Sequence, residues 1–143
     1  MPVTSKFVAL KNYIPTGLPK ETDFEIKTKE ISLDTKNNIL VLNLWISVDP
    51  YMRARMTERK NYKPPFNIGE EMEGYALGIV KESKDKNFKE GDIVFSNFGM
   101  RDYFVCNSND LKKIEPMNIP IQTYLGPLGM TCLLYTSDAA DEQ

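Results

Sequence analysis

The hydrophobic and polar positions predict a chain of short strands. Residues 6–10, KFVAL, form an apolar run closed by Asn12 and by the turn formers Pro15 and Gly17. In DFEIKTKEI, residues 23–31, Phe24, Ile26 and Thr28 alternate with charged neighbours, the period of a half-buried strand. Residues 38–48, NILVLNLWISV, are the longest apolar stretch, which predicts a central strand buried on both faces. Asp49-Pro50 stops it, because proline cannot donate to a sheet ladder.

Residues 74–83, GYALGIVKES, read as a further strand, with Gly74 and Gly78 permitting a bend or a close backbone approach. A polar, lysine-rich stretch leads to a Glu90-Gly91-Asp92 turn. Residues 92–96 then resume as strand, with a hairpin expected through residues 97–101 into YFVC at 103–106. Residues 111–114 predict one more short strand. Beyond it Pro116, Pro120 and Pro127 break the chain repeatedly, leaving room for a single helical turn in IPIQTYLG. Strands this short and closely spaced indicate a mainly β barrel or roll rather than a βαβ repeat.

The 143 residues suit one domain. Lys and Arg number 18 against 20 Asp and Glu, a balance that argues against a nucleic-acid binder. No window approaches the length of a membrane-spanning apolar helix and no leader-type apolar run opens the chain, so a cytoplasmic protein is expected. The sequence contains no histidine. That removes His general bases, His-dependent triads and His-containing metal sites. With only Cys106 and Cys132, a cysteine-rich zinc site is excluded as well.

SVDPYMRARM, residues 47–56, resembles the VDPYMRGRM signature of one branch of the medium-chain dehydrogenase/reductase superfamily, which holds NADPH-dependent alkenal double-bond reductases and prostaglandin reductases. The resemblance continues in order through residues 74–80, the F-x-x-G-D-x-V turn at 88–94, and YLGPLGMT at 124–131. It covers residues 1–131. It implies a GroES-like N-terminal barrel domain, no zinc, and a downstream Rossmann domain for NADPH that would carry the main catalytic tyrosine. The chain contains no G-x-G, so the fragment by itself is expected to be inactive. The parent would act on α,β-unsaturated aldehydes and ketones, with no nucleic-acid or membrane partner, and as a possible homodimer. Residues 132–142, CLLYTSDAADE, resemble one reading frame of a transposase adapter used for sequencing libraries. They are excluded from the domain, which is expected to be cut short at Thr131.

Reducing a conjugated C=C requires hydride at the β-carbon, which a nicotinamide supplies, and a donor for the charge developing on the carbonyl oxygen. The resemblance places Tyr51 and Tyr75 against the substrate, and Met100 where the family usually has tryptophan. It places Pro50, Met130 and Thr131 near the cofactor. A purely structural aromatic remains open for both tyrosines. Arg53, Arg55, Arg59, Lys60 and Lys63 read chiefly as a solvated basic loop, with attraction of an acidic ligand as the alternative. Glu70, Glu71 and Glu73 read as an exposed turn, and Met52, Met56 and Met130 as core or cleft contacts. Ala54 for the family's glycine is a mild departure; Cys132 for the glycine after Thr131 coincides with the start of the adapter-like segment. Two rival readings are a stand-alone barrel used as a binding module and a quinone reductase of the same superfamily.

Overall fold

The computed structural model describes residues 2–59, 63–115 and 117–129. It is mainly β. Strands β1 (Val3–Leu10) and β2 (Phe24–Ile31) form an antiparallel ribbon. β3 (Ile39–Ile46), β4 (Ala76–Ser83), β5 (Ile93–Ser96), β6 (Tyr103–Cys106) and β7 (Lys112–Ile114) form a second antiparallel sheet in the order β6-β3-β4-β5-β7. One five-residue helix, α1 (Tyr51–Arg55), follows β3. A 3-10 turn at Ile121–Tyr124 occupies the place of the expected helical turn. Neither sheet closes into a continuous barrel; single bridges from Phe7 to Arg101 and from Ala9 to Glu71 tie the ribbon to the loops.

Strand alternation builds the first core. Ile39 and Val41 of β3 lie opposite Cys106 and Phe104 of β6, and Val80, Phe88 and Val94 close the cluster. Gly78 is required here, because a Cβ would sit 2.5 Å from Val41 Cγ1 and 2.8 Å from the Leu42 carbonyl. The second cluster joins the end of β1 to α1 and the loops: Leu10, Ile14, Met52, Met56, Phe66 and Met72. This second core positions the candidate site.

Three expectations fail for identifiable reasons. Residues 38–48 are not buried throughout: Ile39, Leu40 and Val41 are buried, whereas Leu44, Trp45, Ile46 and Val48 are exposed. β6 pairs only with Ile39–Leu42, so the rest of β3 keeps β4 alone as a neighbour, across a register shift between Asn43 and Trp45. The hairpin from β5 to β6 is also absent. β5 pairs with β4 and β7, β6 with β3, and residues 97–102 cross between them. Finally, Ile26 points to solvent with 76% of its surface exposed. It faces Val8 on a ribbon whose outer strand has no further neighbour.

Candidate functional site

Asp49-Pro50 turns the chain out of β3 into α1. The Met52 amide donates to the Asp49 carbonyl (3.0 Å) and that of Arg53 to the Pro50 carbonyl (3.1 Å), so Pro50 heads the helix where its missing N–H costs nothing. Met52 and Met56 enter the second core, as residues four apart share a face. Tyr51 and Arg55, also four apart, share another.

Arg55 is not part of a solvated basic loop. It is 5% exposed, its Nε donates to the Pro64 carbonyl (2.8 Å), Nη2 meets Glu73 at 3.0 Å, and its guanidinium lies 4.1 Å from the centre of the Phe66 ring. Arg53 holds the Gly17 carbonyl through Nε and Nη2. Such planar, multi-donor contacts suit arginine better than lysine. In the acidic stretch Glu70 and Glu73 are exposed as expected, whereas Glu71 is half-buried. Glu71 accepts from Lys29 at 2.7 Å and lies 4.0 Å from Arg101. Burial, the largest single influence, would raise its carboxyl, but the Lys29 hydrogen bond, a backbone hydrogen bond and the charges of Lys29 and Arg101 together hold it below its ordinary value.

The structure brings Tyr51 and Tyr75 together. Their ring centroids are 6.1 Å apart at 58°, and Tyr75 stacks on Phe95 at 5.4 Å. The Lys63 ammonium lies 5.1 Å from the Tyr51 ring and 5.5 Å from the Tyr75 ring. The Tyr51 hydroxyl is buried with no hydrogen-bond partner among the described residues. Burial, then the proximity of Tyr75 and Asp49, pushes its phenol above the ordinary value. At neutral pH it is therefore a protonated donor with an unused hydrogen.

Met100 does not join this aromatic pair. It lines an apolar groove of about 420 Å³ with Val8, Phe24, Met52, Met56 and Met72, rimmed by Asp49 and Arg53. Asp49 links the two places, lining the groove while acting on the Tyr51 phenol. Met130, Thr131 and Lys60 lie outside the described residues. Reading the sequence singled out neither Asn43 nor Arg101, which hold the loop carrying Met100. An asparagine inside the apolar run ILVLNLWI was the available signal.

Among the described residues no three His, Cys, Asp or Glu side chains are grouped to hold a metal, and no helix is long and apolar enough to cross a membrane. α1, the sole α-helix among them, is five residues long and opens on Pro50 rather than on a glycine-rich turn. These residues do not fit the pyrophosphate of a dinucleotide, which needs backbone amides at such a turn.

Residues 6–114 match a family described as the N-terminal domain of oxidoreductase. The chain is 41% identical over 133 residues to the NADP(+)-dependent 2-alkenal reductase of Nicotiana tabacum, covering 90% of this chain and 38% of that protein. It is 32% identical over 116 residues to the NADPH-dependent curcumin reductase of Escherichia coli (strain K12), covering 81% and 34%. The crystal structure of CurA from Vibrio vulnificus superposes with a TM-score of 0.79 at 28% identity, covering 88% of this chain and 37% of that one. The chain thus spans little more than a third of the length of these relatives.

Proposed function

The chain belongs to the N-terminal oxidoreductase-domain family of the medium-chain dehydrogenase/reductase superfamily, and from that premise we propose that it is the substrate-side, GroES-like part of a zinc-free, NADPH-dependent reductase of the C=C bond in α,β-unsaturated aldehydes and ketones. The observation that carries this reading is the Tyr51 hydroxyl, buried beside Tyr75 with its hydrogen unspent. Addition of hydride at the β-carbon moves negative charge onto the carbonyl oxygen. A neutral phenol whose hydroxyl is free to donate stabilises that charge as it forms. Its raised pKa keeps the proton on Tyr51, so the residue donates a hydrogen bond without becoming an anion. Met100, with Met52 and Val8, offers an apolar wall to the hydrocarbon part of the substrate.

NADPH belongs, in this reading, to the portion of the relatives' length that the chain does not span, because the residues described here make no pyrophosphate cradle. The 143-residue chain alone is accordingly inactive. The test is NADPH consumption by the chain extended with the downstream part of its own gene. Turnover of crotonaldehyde together with loss of turnover in Tyr51→Phe supports the proposal. Turnover of quinones but not of enals or enones refutes it in favour of a quinone reductase.

A further inference from the structure

Met100 is the one described residue other than glycine with a positive φ, +58°. A side chain in that region is strained, and it persists only where its surroundings over-determine it. Hydrogen bonds to the flanking backbone impose it here. The Val8 amide donates to the Met100 carbonyl (2.8 Å). Asn43 Nδ2 donates to the carbonyls of Phe98 (2.7 Å) and Arg101 (2.9 Å), and the Asn43 amide donates to that of Asp102 (2.7 Å). One β3 residue thus holds the backbone on both sides of Met100. Asn43 sits where β3 slips register against β4, and Gly78 on β4 leaves it room, since a Cβ there would lie 3.3 Å from Asn43 Oδ1.

We propose that Asn43 is a positioning residue for substrate choice: by clamping the carbonyls that flank Met100 it forces the Met100 side chain into the groove and sets which hydrocarbon tails fit. The proposal rests on the reading of that groove as the place for the substrate's apolar part. Asn43 spends its side-chain donors on the Phe98 and Arg101 carbonyls and, in this proposal, acts on the substrate only through Met100. Alanine at position 43 removes two side-chain donors but leaves the strand amide, so the loop is freed while β3 persists. Glycine at position 100 adopts a positive φ without strain and has no side chain to aim.

The test is a double-mutant cycle on the 143-residue chain, comparing wild type, Asn43→Ala, Met100→Gly and the double variant. Binding of n-octanol is read from the methionine methyl resonances by NMR, with n-butanol as the short-tail control. In wild type, octanol shifts the Met52, Met72 and Met100 methyls and butanol does not. Asn43→Ala should move the Met100 methyl resonance in the free protein and weaken octanol binding about fivefold. In the Met100→Gly background, where no strained side chain needs the clamp, Asn43→Ala should leave octanol affinity unchanged. This background keeps the test valid if the single alanine variant folds poorly. If Asn43→Ala weakens binding equally in both backgrounds, or lowers the melting temperature while leaving the Met100 methyl and octanol affinity as in wild type, the residue is a structural clamp and the proposal is wrong. A wild-type chain whose methyls ignore octanol defeats the reading of the groove itself, and the proposal with it; additive effects in a chain that does bind octanol defeat the proposal alone.

Discussion

The Tyr51 ring lies 6.1 Å from that of Tyr75, and the Tyr51 hydroxyl is buried without a partner among the described residues. The two residues are far apart in sequence and come together because the Tyr75 carbonyl accepts the Ser47 amide (2.8 Å), fixing the start of the Asp49-Pro50 turn. An unpaired buried hydroxyl lowers stability unless a ligand completes it. Under the proposed function a substrate carbonyl accepts this hydrogen and offsets that cost.

Tyr51→Phe therefore separates packing from chemistry. The ring contact with Tyr75 survives, and the unpaired polar atom is removed. Chemical denaturation should show stability unchanged or raised by up to about 1 kcal/mol. In the extended enzyme, kcat/KM for enals should fall roughly tenfold to a hundredfold. Lower stability with unchanged kinetics would show that the hydroxyl serves the fold.

Arg55 should behave as a structural residue. Arg55→Ala strands the Pro64 carbonyl and uncovers Phe66, and should cost about 2 kcal/mol in urea denaturation. Glu73→Gln should cost less than about 1 kcal/mol, because the Glu73 side chain is half exposed. Equal losses in the two variants would mean that the ion pair, and not the carbonyl and ring contacts, is what Arg55 supplies.

How far these features were readable depends on what fixes each of them. Short apolar runs between turn residues located the strands, and in the run at residues 38–48 Ile39 and Val41 do meet one core. That run could not reveal that Leu44 to Ile46 lose a neighbour strand, since pairing is a long-range fact and an exposed LWI reads like a buried one. The connection through residues 97–102 had the length and composition of a hairpin. It instead crosses the sheet, because Gly74 admits Phe98 as a parallel neighbour and accepts the Gly99 amide at 2.8 Å. At the site, the DPYM segment marked Tyr51 by resemblance. The role of Arg55 was hidden, because charge in a sequence carries no sign of burial.

Gly99 should tolerate no side chain. A Cβ there would stand 2.7 Å from the Gly74 carbonyl oxygen, an approach that only backbone movement relieves. Gly99→Ala should lose about 2–3 kcal/mol, whereas at Gly126, where the nearest atom is 4.0 Å from a Cβ, alanine should change little. Thermal melts of the pair decide it, and similar melting temperatures would mean that the crossing loop yields easily.

The chain should take up no zinc. It has no histidine, and its described residues group no three potential ligands. Elemental analysis after dialysis against zinc and a mild chelator should find less than stoichiometric metal. A stable one-to-one complex would overturn the zinc-free assignment.

Acid sensitivity should run in part through Asp92. Its carboxylate accepts from Lys113 at 2.7 Å and from the Lys89 amide at 2.8 Å, bridging β7 to the turn before β5. These bonds, Lys113's first, hold the folded carboxyl below its ordinary value of 3.8. Near that value the unfolded chain binds more protons than the folded one, so stability falls as pH falls. The contribution is complete above the unfolded value and disappears as pH drops through the folded one. Asp92→Asn should flatten the acid limb of stability from about pH 5 downward, through the lowered value of the folded carboxyl. Lys113→Met should flatten it less, because the Lys89 amide still favours the charged form. Asp34 and Asp85, whose carboxyls are lowered chiefly by the backbone amides of Asn37 and Asn87, keep a residual slope in both variants. Raised salt should narrow the gap between wild type and Lys113→Met, since the pair is partly exposed to solvent. Urea titrations at several pH values measure each slope. An Asp92→Asn chain with the wild-type slope would show that this carboxylate is equally acidic folded and unfolded, and that the Lys113 contact contributes nothing.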